Sequence, residues 1–179
     1  MTARPRFSFI LIGALGAAIA VSGQTARDGT LQSQLTSLFP QASGFSPKGG
    51  EPPTFKAFSG DPKAASPNVI GYAFYTTDLQ PLDRGYDGPI RWLVGMDTRG
   101  VLTGVVLIEH KEPYGNFSIE TPRFQNTFRN KDVRDAFKVG ADVDAISTAT
   151  ISITSSARAI RSSARRVARS LLAAPAQSR

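Results

Sequence analysis

Cysteine is absent from the 179-residue chain, and histidine occurs once, at His110. The first absence excludes disulfides, thiolate metal sites, iron–sulfur ligation and cysteine nucleophiles. The second removes multi-histidine metal centres. Any redox chemistry must therefore come from a bound cofactor. The G-x-S-x-G, Walker-type, G-x-G-x-x-G and H-E-x-x-H signatures of common enzymes are also missing. A single histidine at a strand end is more often structural than catalytic, so these residues by themselves leave it open whether the chain is an enzyme with its own substrate.

Long apolar runs are confined to one place. Phe7 to Val21 is almost wholly apolar, preceded by Arg4 and Arg6 and closed by the small residues Val21, Ser22 and Gly23. This is a secretory signal pattern. The run is shorter than the ~20 residues of a comfortable membrane span. Residues 1–23 are thus expected to be a signal peptide or a retained signal anchor, with 7–22 offering membrane association. The protein is expected to be periplasmic or otherwise extracytoplasmic. Residues 24–172 amount to one domain, and 173–179 to a disordered tail.

The formal net charge is +7. Much of the excess lies near the C-terminus, at Arg158, Arg161, Arg165, Arg166 and Arg169. In a cytoplasmic protein such a stripe would suggest nucleic acid. Export argues against that partner, and a solvated helix face is the simpler reading.

The patterning predicts an α+β fold, a twisted and mainly antiparallel sheet with flanking helices. Leu31, Leu35, Leu38 and Phe39 stand at helical spacing before Pro40. Residues 54–58 and the segment "NVIGYAFYTTD" have strand composition. In "PIRWLVGMDTRGVLTGVVLIEH", two Val/Leu/Ile runs flank "DTRG", whose Asp and Gly suit a type I turn. That predicts a hairpin of 90–96 with 101–109, and the nearly continuous apolar run 101–108 predicts a strand covered on both faces. Thr121 and Pro122 mark a helix start, and "KDVRDAF" suggests one more turn. The last helix is expected to begin around 152–155, with Ile160, Ala164, Val167 and Leu171 facing the sheet.

Between hairpin and last helix lie the two informative stretches. "DAISTAT", Asp144 to Thr150, resembles the flavinylation motif D-x-x-(S/T)-G-A-T of the FMN-binding domain family. "IEHKEPYGNF" resembles that family's E-H-x-E-(T)-P segment, at Glu109, His110, Glu112 and Pro113. The resemblance runs from about Phe39 to Leu172 and is nearest to the NosR-type branch. The family also includes the extracytoplasmic flavin subunits of the Rnf and Na+-translocating quinone reductase complexes.

The resemblance implies covalent FMN on Thr150 through a phosphoester, installed by a flavin transferase. Asp144, Ser147, Thr148 and Ala149 would frame the acceptor. His110, Glu112, Pro113 and Tyr114 would contribute to the flavin site, His110 and Glu112 by hydrogen bonds around the ring, and Tyr114 or Phe117 by stacking on it. No metal is implied. The implied role is an extracytoplasmic electron carrier working with a membrane or iron–sulfur redox partner. The alternatives are a regulatory or accessory flavin module for a periplasmic reductase such as nitrous oxide reductase, and a flavin-free binding domain.

Physical chemistry agrees with an ester at this position. A transferase supplies the activation, so the threonine needs no neighbouring base. The remaining phosphate charge would face a helix start, with Ser147, Thr148, Ser152 and Thr154 as hydroxyl donors and Arg158 and Arg161 as counter-charges. One departure stands out. The family has Gly where this chain has Thr148, and a β-branched residue at positive φ would cost about 1–3 kcal/mol.

Overall fold

The computed structural model describes residues 29–146 and 149–172. The expected signal segment, Ser147, Thr148 and the 173–179 tail lie outside the described residues. The chain divides into two compact units, Met1–Ser33 and Gln34–Arg179. The described part of the first, 29–33, is helical, and this helix (α1) continues to residue 38. No helix among the described residues is long and apolar enough to cross a membrane.

The second unit is built on a five-stranded antiparallel sheet. Its strands are β1 (Gly44–Phe45), β2 (Phe55–Ser59), β3 (Asn68–Tyr75), β4 (Arg91–Asp97) and β5 (Leu102–Glu109), hydrogen-bonded in chain order. Helices α2 (Pro122–Asn126) and α3 (Thr150–Leu171) follow. The α+β expectation holds. So does the hairpin, with Arg91 opposite Glu109 and Met96 opposite Leu102. Its turn closes because the Asp97 carboxylate accepts from the N–H groups of Arg99 and Val101, at 2.9 and 2.8 Å. Gly100 supplies the left-handed step, φ +89°, that L side chains avoid.

Strand pairing in chain order leaves β5 at an edge, and this changes one expectation. The strand covered on both faces is β4, whose residues 92–96 are all buried, whereas 106–108 of β5 are only half-buried. On one face of β4, Trp92, Val94 and Met96 pack against Ile153, Ile160, Ala164 and Val167 of α3. Each of these seven side chains has an exposure of 0%. Full burial of such a side chain contributes on the order of 1.5–3 kcal/mol, so this seam is the main apolar cohesion of the unit.

On the opposite face glycines make room. A Cβ at Gly71 would lie 2.5 Å from the Phe39 ring and 2.6 Å from the Met96 carbonyl oxygen. Leu38 and Phe39, both buried, close that side.

Thr121 caps α2 as expected, its Oγ1 accepting from the Phe124 N–H at 3.3 Å, with Pro122 at the first position. "KDVRDAF" forms a turn at Val133 and Arg134, held by Asp132 and Asp135, which bind local backbone and side-chain groups. One other expectation differs. Helix α3 starts at Thr150, ahead of the serines expected to open it, with Ala149 at the N-cap and no side-chain cap.

Gly71→Ala is expected to lower stability by about 1–3 kcal/mol through overpacking. Urea unfolding with an unchanged m-value checks this.

Candidate functional site

A cavity of about 530 Å³ opens where α3 begins. Its lining is Tyr86, Pro113, Tyr114, Ala149, Thr150, Ile151 and Ser152. Three separate stretches of chain meet there: the loop before β4, the segment after β5, and the first turn of α3. Thr150 is exposed. Exposed apolar groups surround it, with Tyr86 at 70%, Tyr114 at 58% and Ile151 at 57%. Large side chains left in solvent around a concavity are the usual surface of a ligand or partner site.

These stretches are joined by one side chain. Glu112 is 6% exposed, and its carboxylate has no donor of its own. Oε2 accepts from the Tyr86 N–H at 3.0 Å and from the Ser152 hydroxyl, while Oε1 accepts from the Asp87 N–H at 3.1 Å. Position 85 has no space for a side chain, since a Cβ there would run into this same carboxylate. The loop 85–87 thus wraps the Glu112 head group, which presents Tyr86 at the cavity.

His110 supports the same segment. Its Nδ1 lies 3.0 Å from the Glu112 N–H. A backbone N–H can only donate, so Nδ1 is the acceptor and Nε2 carries the proton of the neutral ring. Nε2 then donates to Glu120 Oε1 at 3.1 Å. The Gly115–Phe117 turn follows directly, with Phe117 68% exposed and outside the cavity lining.

Upstream of Thr150, Asp142 gathers the loop. It accepts from the N–H groups of Phe137 and Lys138 and from Lys131 Nζ, the first at 3.0 Å and the last at 3.2 Å. Partial burial pushes its carboxyl up, but the Lys138 N–H, the Lys131 ammonium and the Phe137 N–H outweigh that and hold it below the usual value of 3.8. Asp144 pairs with Arg123, Oδ2 to Nε 2.7 Å, on an exposed surface.

The expected site residues are therefore only partly assembled in one place. Thr150, Ala149, Pro113 and Tyr114 line the cavity together. Glu112 is outside the lining, bonded to protein groups, His110 borders a different cavity with Arg91 and Glu109, and Asp144 is paired with Arg123. Ser147 and Thr148 fall outside the described residues. Ser152 reaches the cavity, but its hydroxyl is committed to Glu112. Arg158 pairs with Asp83 at 3.1 Å and Arg161 donates to the Ala136 carbonyl at 3.0 Å. With Thr154 they border a different cavity. Tyr86 was not anticipated from the sequence. Its signal is faint: an aromatic between glycines in "RGYDG", a stretch that otherwise reads as loop.

The donor set suits an anionic, flat, aromatic group. The uncapped first turn of α3 holds no acidic residue, so its backbone N–H groups favour negative charge. The tyrosines offer ring faces, and the volume matches a small-molecule cofactor.

Residues 85–165 match the FMN-binding domain family. The matched stretch contains every residue lining the cavity, and it supports FMN as the cofactor. No curated protein matches the chain.

Glu112→Gln places amide donors where three donors already converge, and is expected to lower stability by about 1–3 kcal/mol. Asp144→Asn removes only an exposed pair, at a cost below about 1 kcal/mol. Urea unfolding midpoints of the two variants check the contrast. For Asp142, a folded-state value below 3.8 means a contribution that is full above pH 3.8 and lost as pH falls through the lower value. The stability gap between the wild type and Asp142→Asn should therefore narrow on acidification from neutrality to below pH 3.8.

Proposed function

We propose that this protein is an extracytoplasmic electron carrier whose FMN sits in the Tyr86–Tyr114 cavity, esterified through its phosphate to Thr150. One observation carries the reading. Two motifs 36 residues apart by their positions, Glu112-Pro113-Tyr114 and Ala149-Thr150, converge on one cavity inside the segment that matches the FMN-binding family. Bound FMN supplies reversible one- and two-electron chemistry that none of the twenty side chains offers.

The chain's own contribution is placement. Thr150 presents an exposed hydroxyl that a flavin transferase can reach, in line with attachment after export. The helix start favours the phosphate charge without help from Arg158 or Arg161. Tyr86 and Tyr114 form apolar walls for the isoalloxazine ring, and Glu112 holds the two walls and the helix in register. A covalent tether keeps the cofactor in place where a released mononucleotide would diffuse away, by raising its effective concentration to about the millimolar range or more.

The electron donor and acceptor belong to other proteins in this reading, a membrane or iron–sulfur partner among them. The signal-like 1–23 segment supports a periplasmic location.

The experiment is the intact mass of exported protein produced together with a flavin transferase. The expected result is a gain of one FMN less one water, with yellow colour that survives acid precipitation. Thr150→Ala should abolish both. A wild-type mass that equals the polypeptide alone would assign the domain to the flavin-free alternative.

A further inference from the structure

Helix α3 carries five arginines and no acidic residue. At its C-terminal end it borders a second concavity, of about 590 Å³, remote from the first. Four guanidinium groups surround this cleft, from Arg99, Arg134, Arg165 and Arg169, over apolar side chains that include Val133 and Leu172.

Three of the four are held by the protein. Arg99 pairs with Asp97 at 3.1 Å. Arg134 grips Asp132 through Nε at 2.7 Å and Nη2 at 2.5 Å. Arg165 donates from Nε to the Val133 carbonyl at 2.7 Å and from Nη2 to that of Asp135 at 2.9 Å. The aspartates cancel the charges of Arg99 and Arg134. Carbonyl oxygens cancel none, so Arg165 keeps its full charge. Arg169 has no ion-pair partner among the described residues. The cleft is thus net positive and floored with hydrocarbon.

We propose that this cleft is a docking seat for an acidic segment of a partner protein, one that carries apolar residues beside its carboxylates. The charges of Arg165 and Arg169, which no carboxylate offsets among the described residues, suit carboxylate capture. Asp97 and Asp132 neutralise two of the four guanidiniums, so the cleft lacks the continuous positive track that a nucleic-acid backbone calls for. A bilayer surface is met by extended, freely moving basic side chains, and Arg165 is pinned against the backbone. The concavity and its apolar floor serve a protruding side chain better than a flat surface.

Arg169 lies 19 residues along α3 from Thr150 in sequence number, about 28 Å at 1.5 Å per residue. Occupation of the cleft leaves the Thr150 cavity open. The docking seat therefore stands or falls separately from the flavin, and flavin-free full-length protein can be used to test it.

The probe is a fluorescent peptide of alternating Glu and Leu, followed by anisotropy at physiological salt. Arg169→Glu is expected to weaken binding about tenfold or more. Arg99→Gln, which lies off the helix and leaves α3 untouched, should weaken it in the same direction. Lys63→Glu, an equal charge change at an exposed site elsewhere, should have little effect. A peptide with Gly in place of Leu should bind more weakly to the wild type. Equal losses in Arg169→Glu and Lys63→Glu would reduce the effect to net charge and overturn the proposal. So would a loss specific to Arg169→Glu that appears with phosphatidylglycerol vesicles or duplex DNA but not with the peptide.

Discussion

A carboxylate removed from water must be saturated by donors, and in this protein that requirement falls on Glu112. Its two oxygens draw in the Tyr86 and Asp87 backbone and the Ser152 hydroxyl. These partners lie 26, 25 and 40 residues away in the chain. Leaving any of them unmet would cost about the desolvation free energy of a buried polar group, on the order of 1–3 kcal/mol. Three otherwise independent segments are thereby tied at one point, and the cavity is the space left beside the knot. The cavity's shape is a by-product of hydrogen-bond satisfaction as much as of apolar packing.

The apolar frame explains why the knot can be placed so reliably. Helix α3 lies on the inner face of β4 through side chains with no exposed surface, so its first turn has little freedom to shift. Segment 110–114 leaves the end of β5, which is paired to β4 up to Glu109. Both sides of the site are therefore referred to the same central strand. The walls of the proposed cofactor site, Tyr86, Tyr114 and Ile151, stay in solvent. A rigid base with exposed walls suits a group that must exchange electrons with another protein, because the ring can be held while one edge remains open.

Charge is distributed with a comparable division of labour. The start of α3 has neither acidic residues nor a side-chain cap, and its end has the arginines. A favourable dipole interaction follows at the last turn, where Arg169 lies, and the first turn is the complementary place for the proposed phosphate. The two basic residues nearest the middle, Arg158 and Arg161, are spent on Asp83 and on the Ala136 carbonyl. They fasten flanking loops to the helix. The proposed docking seat and the proposed cofactor site thus occupy opposite ends of one rigid rod.

Local chemistry was legible wherever it is decided by near neighbours. The Asp97–Gly100 turn, the hairpin around it, the Thr121–Pro122 helix start and the apolar face of α3 all follow from residues a few positions apart, and periodicity and turn preference fix them. The "DAISTAT" and "EHKEP" stretches pointed to the segments that do line or support the cavity. What periodicity did not reveal depends on contacts across the chain. β5 looks doubly covered in sequence but is an edge strand, because strand order is a property of the whole sheet. Helix α3 begins at Thr150 with Ala149 as its N-cap, earlier than its serines suggested, and Ser152 serves inside the first turn as a donor to Glu112. Tyr86 sits in what reads as an ordinary loop, and Arg158 looks like a counter-charge until Asp83 takes it. By itself the sequence determined the elements and the residue types available for chemistry, since these rest on backbone preferences and side-chain identity. Only the tertiary structure decided which of them share a cavity, because a buried acceptor takes whichever donors the packed sheet and helix bring within reach.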